Sequence, residues 1–437
     1  MSVAVLKPKD NPLDAIYAAA RDRLPGTAAV ADARSEAFAN FARQGLPHRR
    51  IEDWKYTDLR AQLGTVAPLA AAPQRAAREA AAAALAVHEV VAGALRLVLV
   101  DGAFVPELSD VARLPAGVSM QPLCAALDSD AGTDLLANRS PDPMQALNAA
   151  LATDGVLVEI AGGTELRQPV HLVHVATRVG TAAYSRSRLV LGNGVRATLV
   201  ESYVAAAGAA NYQTSDMVTI AIGDGAELQH IRLMEEARDA IHIAGAVFTL
   251  GAKARLNSFN LTIGGRLSRY QTTVTFAGDG SDVLTNGVTL LGGRRHGDTT
   301  LLVDHAVPGC TSRENFRAVL DAQGHAVFQG RIVVRPKAQK TDGKMMTRGL
   351  LLSDEAEIDN KPELEIFADD VSCGHGATAG ALDESLLFYL RARGLPEADA
   401  QALLIEAFVG EAIETIADDD LREVVVAAAK RWLKERG

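Results

Sequence analysis

The sequence predicts a mainly β protein: a parallel β-helix, or solenoid, with a helical region before it and a helical domain after it. Three observations carry that prediction. Corners rich in Gly and Asx recur at Gly192-Asn193-Gly194, Gly223-Asp224-Gly225, Gly251-Ala252-Lys253 and Gly278-Asp279-Gly280, about 27 to 31 residues apart, and a fixed period in that range marks a stacked array. Each corner is followed by a short alternating run such as Ala226-Glu227-Leu228-Gln229-His230-Ile231, so the repeating unit is built of strands. Helical spacing is confined to the two ends. The corner pattern stretches beyond 40 residues before Gln323-Gly324 and resumes about 30 residues later at Ser353-Asp354-Glu355, which predicts one irregular or longer turn. Separate sandwiches fit less well because no unit closes on itself, and coils that cannot bury their faces singly take their stability from stacked neighbours.

Taken in order, residues 1–150 form a mainly helical region with a short hairpin. Asp14 to Leu24 has helical apolar spacing, Ser35 to Gln44 ends at Gly45, and the Ala-rich run from Arg75 to Val87 has high helix propensity. Between them lies Arg50-Ile51-Glu52-Asp53-Trp54-Lys55-Tyr56-Thr57, whose aromatics read as a packing anchor, since such side chains dominate contacts of this kind. Leu95 to Val105 reads as a hairpin turning at Asp101-Gly102, and Asp142 to Ala152 as a helix ending near Asp154-Gly155. Residues 151–377 are the β-helix core. Residues 378–437 are a helical domain: Asp383 caps a helix from Leu386 to Arg393 that Gly394 ends, Pro396 opens a second, and Asp418 to Asp420 precede a third. The second carries two apolar stripes, Leu404-Ala407-Phe408 and Ile405-Val409-Ile413-Ile416. A helix apolar on two sides lies between two surfaces, either in a small three-helix core or against a partner.

At 437 residues the chain can bury a large core. A net charge of −10 argues against nucleic-acid or anionic-membrane partners, which reward basic surfaces. The first residues, MSVAVLKPKDNPLD, show no long apolar run, and no stretch approaches the ~18 apolar residues of a membrane helix; the expected location is the cytosol. Cys124, Cys310 and Cys373 lie far apart with no Cys-x-x-Cys, so neither a disulfide framework nor a four-thiolate metal site can be drawn within one chain.

Leu364 to Val371 has strand spacing, and Cys373 and His375 follow with Gly374 between them and Gly376 after. Residues two apart on a strand share a face, about 7 Å apart. A thiolate and an imidazole so placed can reach an iron, a zinc or a partner's side chain, and the glycines let a ligand or a second backbone come close. Alone, such a pair also suits packing or a turn, because free cysteine is among the most buried residue types.

Ala338 to Leu390, with its Cys373-Gly374-His375-Gly376-Ala377-Thr378, closely resembles the C-terminal core of the SufB/SufD family of iron-sulfur cluster assembly scaffolds. This version of the motif looks like the SufD one, whereas SufB paralogues carry a Glu-His-Glu type of sequence there. Arg50-Ile51-Glu52-Asp53-Trp54-Lys55-Tyr56-Thr57 is similar to a segment near the start of SufD proteins, and the run from Asp142 to His174 looks like the family's passage into its β-core. The resemblance implies a non-enzymatic SufD-like subunit. It would assemble an iron-sulfur cluster, held transiently at a subunit interface, with a SufB-like subunit and the SufC ATPase. In that reading His375 and Cys373 are the metal-ligating candidates, shared with the partner subunit. The partner-facing candidates are Leu386, Phe388, Leu404, Ile405, Phe408 and Val409. Two departures touch the interface chemistry: Gly374, where the family often has Ser, and Lys344-Met345-Met346, where many members are more polar.

Two other function classes fit the same architecture. A carbohydrate-active β-helix enzyme needs paired carboxylates and sugar-stacking aromatics, which a chain only 5% aromatic is poorly supplied with. A structural homodimer would use the C-terminal coil against itself. His171 and His174, three apart on a strand-like run, would face opposite ways and are read as structural. Arg294-Arg295-His296-Gly297-Asp298 reads as a solvated corner, and Cys310 is given no role. Lys340-Thr341-Asp342-Gly343-Lys344 lacks the upstream glycine and the following Ser or Thr of a phosphate loop, so no ATP hydrolysis is expected.

Overall fold

The computed structural model describes residues 12–63, 67–88, 91–129, 132–137 and 140–435. Met1 to Asn11, most of the stretch read above as having no targeting segment, lie outside the described residues. Among the described residues two sheets carry the fold, one of ten strands and one of nine. From Val156–Ile160 onward, successive strands alternate between the sheets, and from Ala182–Leu191 onward each pairs in parallel with the strand two before it in sequence. One coil is therefore two strands and two corners, and the chain winds through about eight turns.

The corners stack as the period predicts. Gly194, Gly225, Lys253 and Gly280 hold left-handed backbone with φ of 70°, 64°, 55° and 70°. Gly194 N–H donates to Asp224 O at 2.9 Å, Gly225 N–H to Ala252 O at 2.8 Å and Lys253 N–H to Asp279 O at 2.8 Å. Side chains reinforce the ladder, with Asn193 Oδ1 accepting from Asp224 N–H at 3.0 Å and Asp224 Oδ1 from Ala252 N–H at 2.7 Å. At Gly278 a Cβ would overlap the Ala252 backbone nitrogen, so only glycine lets that corner close on the one beneath it.

The longer turn expected before Gln323-Gly324 does not exist. The same column of corners continues at Gly309 and Lys340, with φ of 70° and 62°, 29 and 31 residues further on. These corners escape the reading because Pro308-Gly309 lacks the Gly-Asx-Gly form of most of the earlier ones and Gln339-Lys340 has no glycine at all. Gln323-Gly324 and Ser353-Asp354-Glu355 belong to the opposite column of corners, between strands of the nine-stranded and ten-stranded sheets in the other order.

Inside the coils, Phe248, Leu250, Val274, Phe276, Leu301, Val303, Ile332 and Val334 form a continuous apolar layer. Such burial, at roughly 25 cal/mol per Å², is the main force holding coil to coil. Charged groups are enclosed as well. Glu201 accepts from His230 Nε2 and from the Tyr203 hydroxyl, each at 2.8 Å. Burial works to raise its carboxyl, but the His230 contact and the Arg232 charge outweigh it and hold the group at about 2. Arg232 donates to Asn260 Oδ1 at 2.8 Å and lies 4.2 Å from the centre of the Tyr270 ring. His171 and His174 face opposite ways and are both buried: His171 bonds Ser202 Oγ at 2.8 Å, and His174 stacks on Tyr203 at 4.5 Å.

The N-terminal region packs on both outer faces, Trp54 and Leu59 in one cluster with Ile241 and Leu267 of the nine-stranded sheet, and Ala81 and Leu85 in another with Val98 and Val173 of the ten-stranded one. The second predicted helix begins earlier than its apolar spacing suggests, at Ala28–Gln44, because Thr27 caps it through Val30 N–H. The helix Arg75–Val87 has the predicted bounds. Leu95–Val100 and Ala103–Phe104 form the expected hairpin, and Leu95–Val100 also pairs in parallel with Val170–Ala176, so the ten-stranded sheet starts before the first corner. In the helix Pro143–Leu151 every residue is buried, and Asp142 caps its start through Met144 and Gln145 N–H. Trp54 is 1% exposed; its indole bonds Asp142, and the Arg269 guanidinium lies 3.9 Å from its ring centre. Tyr56 is only half-buried.

Candidate functional site

The last coil has no coil beyond it. Glu357–Ile366 ends the nine-stranded sheet and pairs only with His325–Val334, while Ser372–Gly380 ends the ten-stranded sheet and pairs only with Asp342–Leu351. Among the described residues nothing covers either outer edge, so the backbone N–H and C=O groups of two long strands face outward, a template for pairing with another chain. The strand expected over Leu364 to Val371 is two pieces. One strand stops at Ile366, the exposed Phe367 and Asp369-Asp370 turn the corner, and Cys373 is the second residue of the next strand.

Cys373 stands in register with Gly343 and His375 with Met345. Met345 is 2% exposed in the inner apolar layer, and Cys373 packs against that layer. The alternation of a strand therefore puts Cys373 and His375 together on the inner face of the final coil, at the mouth of the solenoid. His375 is exposed and Cys373 half-buried. Below the cysteine, Gly343 lies against Ser312 Oγ and Ile332, at distances where a Cβ would make ordinary contact. Burial pushes the Cys373 thiol up, the Gly343 N–H pulls against that, and the carboxylates of Asp342 and Glu314 add to the rise. A metal arriving here must displace the thiol proton.

The other cysteines are placed differently. Cys310 is fully buried and raised by burial, and its Sγ lies 3.6 Å from the carbonyls of Gly278 and Pro308. Cys124 is pushed up to about 11 by burial and by Asp154. All three are free thiols. The donor set at the mouth, one thiol and one imidazole on one face, suits half the ligation of an iron-sulfur cluster, which takes four protein ligands with His an occasional substitute for Cys.

Beneath this pair lies Glu314, two strands down the column that runs through Met345 to His375. It is 2% exposed, neither carboxyl oxygen has a well-formed hydrogen bond, and burial raises it to about 8, with Ser312 and Arg313 offsetting only part. The sequence reading missed it, because its place on the inner face follows only once the coil register is known.

The six residues named on the C-terminal helices divide. Ile405 and Val409, 1% and 3% exposed, belong to the chain's own core. With Ile413 and Ile416 they meet the outer face of the ten-stranded sheet at Phe259, Leu261, Val288, Leu290 and Val319, and Val425 and Trp432 of the helix Asp419–Glu435 close the cluster. As partner-facing residues they are corrected: their stripe has already found its surface. Leu404 and Phe408 are half-buried, with Arg317 4.9 Å from the Phe408 ring centre and paired with Glu411. Leu386 and Phe388, on the helix Glu384–Ala392 that buries no residue, are 51% and 74% exposed, next to Tyr389 at 53%.

An uncapped coil end, a thiol and an imidazole in its mouth and exposed apolar side chains on a nearby helix define a β-helical solenoid whose end is open to pairing. The chain belongs to the SufBD family of iron-sulfur cluster assembly proteins. Residues 174–408 match the SufBD core domain of the SUF system for FeS cluster assembly, and residues 12–172 match the SufBD protein N-terminal region. It is a SufD homologue: the iron-sulfur cluster assembly protein SufD of Escherichia coli is 34% identical over 88% of this chain and 89% of its own. A SufBD family protein of Synechocystis is 33% identical over 85% and 84%, and SufD of Bacillus subtilis 25% over 67% of each. No described helix is long and apolar enough to cross a membrane.

Proposed function

We propose that this chain is a non-enzymatic SufD-like scaffold subunit that builds iron-sulfur clusters with a SufB-like subunit and a SufC-like ATPase. The observation that carries this reading is the pairing of two uncovered strand edges with Cys373 and His375 on the inner face of the last strand. A SufB-like chain adding strands at this end would bring its own ligands to the same mouth. The cluster is cargo, handed on after assembly. His375 supplies the nitrogen ligand and Cys373 the sulfur, the thiol losing its proton as iron arrives. The exposed Leu386 and Phe388, with Leu404 and Phe408, form the ATPase-facing surface. The cytosol, where thiols stay reduced, suits three unpaired cysteines.

The test is anaerobic reconstitution of the three-subunit complex with His375→Ala. The expected result is an intact complex whose cluster absorbance falls sharply, with a smaller loss for Cys373→Ala. A complex that stays intact and builds clusters at the wild-type level overturns the ligand assignment. A complex that falls apart assigns His375 to the structure of the last coil. If the chain ignores both partners and self-associates, the homodimer reading takes over.

A further inference from the structure

A second group of metal-ligating side chains lies away from the solenoid mouth, on the outer face of the nine-stranded sheet. His296, His325 and Glu357 occupy one register column on successive strands, and Asp359 stands two residues beyond Glu357 on the same face. One ligand atom each from His325, Glu357 and Asp359 lie within 4.8 Å of one another. His325 Nε2 is 2.9 Å from Asp359 Oδ2, and the Glu357 carboxylate has no hydrogen bond or ion pair among the described residues. We propose that His325, Glu357 and Asp359 bind a first-row divalent metal ion.

Hydrogen-bond accounting supports this. The Thr57 hydroxyl bonds the Asp298 carboxylate, which only accepts, so Thr57 gives its proton there. Its oxygen then accepts from His296 Nε2–H at 2.8 Å, leaving His296 Nδ1 as an acceptor for His325 Nδ1–H at 3.1 Å. The chain fixes the His325 ring and points Nε2 at the two carboxylates. An outer-shell partner that orients the ligating imidazole through its second nitrogen is a regular feature of metal sites. Two ligands bound to a first-row ion at roughly 2.0–2.2 Å stand about 3 Å apart when adjacent, close to the present His325–Asp359 separation. The ion takes the place of the direct His325–Asp359 contact, and Glu357 closes in as the third ligand. One imidazole with two carboxylates selects iron(II), zinc, cobalt(II) or manganese over magnesium or calcium, which take oxygen alone.

An ion here ties the terminal strand Glu357–Ile366 to the coil before it and, through His296 and Thr57, to the N-terminal region. Its ligands are separate from His375, so the proposal does not depend on the cluster reading. Cobalt(II) titrated anaerobically into the full chain gives the readout, by visible d–d absorption and by metal counted after dialysis. The expected result is one ion whose affinity falls at least tenfold with His325→Gln or Asp359→Asn and by a smaller factor with Thr57→Val, and which is unchanged by His375→Ala. Wild-type affinity in a folded His325→Gln/Asp359→Asn double variant, no cobalt bound by the wild type, or loss of the ion on His375→Ala each overturns the proposal.

Discussion

The indole N–H of Trp54 donates to Asp142 Oδ2 at 2.9 Å, across 88 residues of sequence. Because Asp142 also caps the helix Pro143–Leu151, one aromatic joins the N-terminal region to the buried helix that opens the β-core. Trp54→Ala is expected to cost about 3–5 kcal/mol. Trp54→Phe keeps most of the apolar volume, loses the hydrogen bond, and should cost about 1–2 kcal/mol. Urea unfolding of both variants checks the ratio; equal, small losses mean that the anchor is elsewhere.

Glu314 predicts a pH dependence. Its carboxyl sits at about 8 in the folded chain against 4.5 as the ordinary value. Between those values the folded state holds a proton that the unfolded state has released, so stability falls as pH rises through the window and the loss is complete above about 8. Glu314→Gln removes that slope. The variant should match the wild type near pH 4.5 and exceed it by on the order of 2–5 kcal/mol at pH 9. Denaturant midpoints across the range settle it, and a constant gap means the carboxyl is not carrying a native proton.

The C-terminal helices separate docking from stability. Phe388→Ala and Leu386→Ala remove exposed side chains, so thermal stability should hold while binding of the ATPase weakens about tenfold or more for at least one of them. Ile405→Ala empties a core position and should cost about 2–5 kcal/mol. Pull-down beside melting curves checks both, and unchanged binding in a Leu386→Ala/Phe388→Ala double variant excludes that helix as the docking surface.

Two glycines should respond unequally. Gly278→Ala forces a Cβ against the stacked Ala252 backbone and should cost about 1–3 kcal/mol. At Gly374 a Cβ meets nothing within 4 Å, so Gly374→Ser should stay within about 0.5 kcal/mol. Calorimetry on the pair tests whether the corners, rather than glycine content, set coil stability.

The solenoid was legible because its period is local: Gly192, Gly223, Gly251 and Gly278 are visible without knowing any contact. Asp142 and Asp383 announced their helices by the same local chemistry. Lys340 shows the limit, since the left-handed corner Gln339-Lys340 has no glycine to find. The C-terminal stripes show another. The helix pattern showed two apolar faces, but which one turns inward depends on Phe259, Leu261 and Val288 of the sheet beneath. The His296–His325 pair was legible only as two histidines 29 residues apart, one coil, and its link to Thr57 spans 239 residues. No short-range signal reports such a contact.

The two outer edges of the final coil are not alike. Glu357–Ile366 carries Glu357, Asp359, Lys361, Glu363 and Glu365 with Pro362 among them, the charges and proline that discourage indiscriminate strand addition. Ser372–Gly380, reading SCGHGATAG, has no such protection. An arriving strand is therefore directed to Ser372–Gly380 and away from Glu357–Ile366, so the two edges of one coil end differ in what they admit.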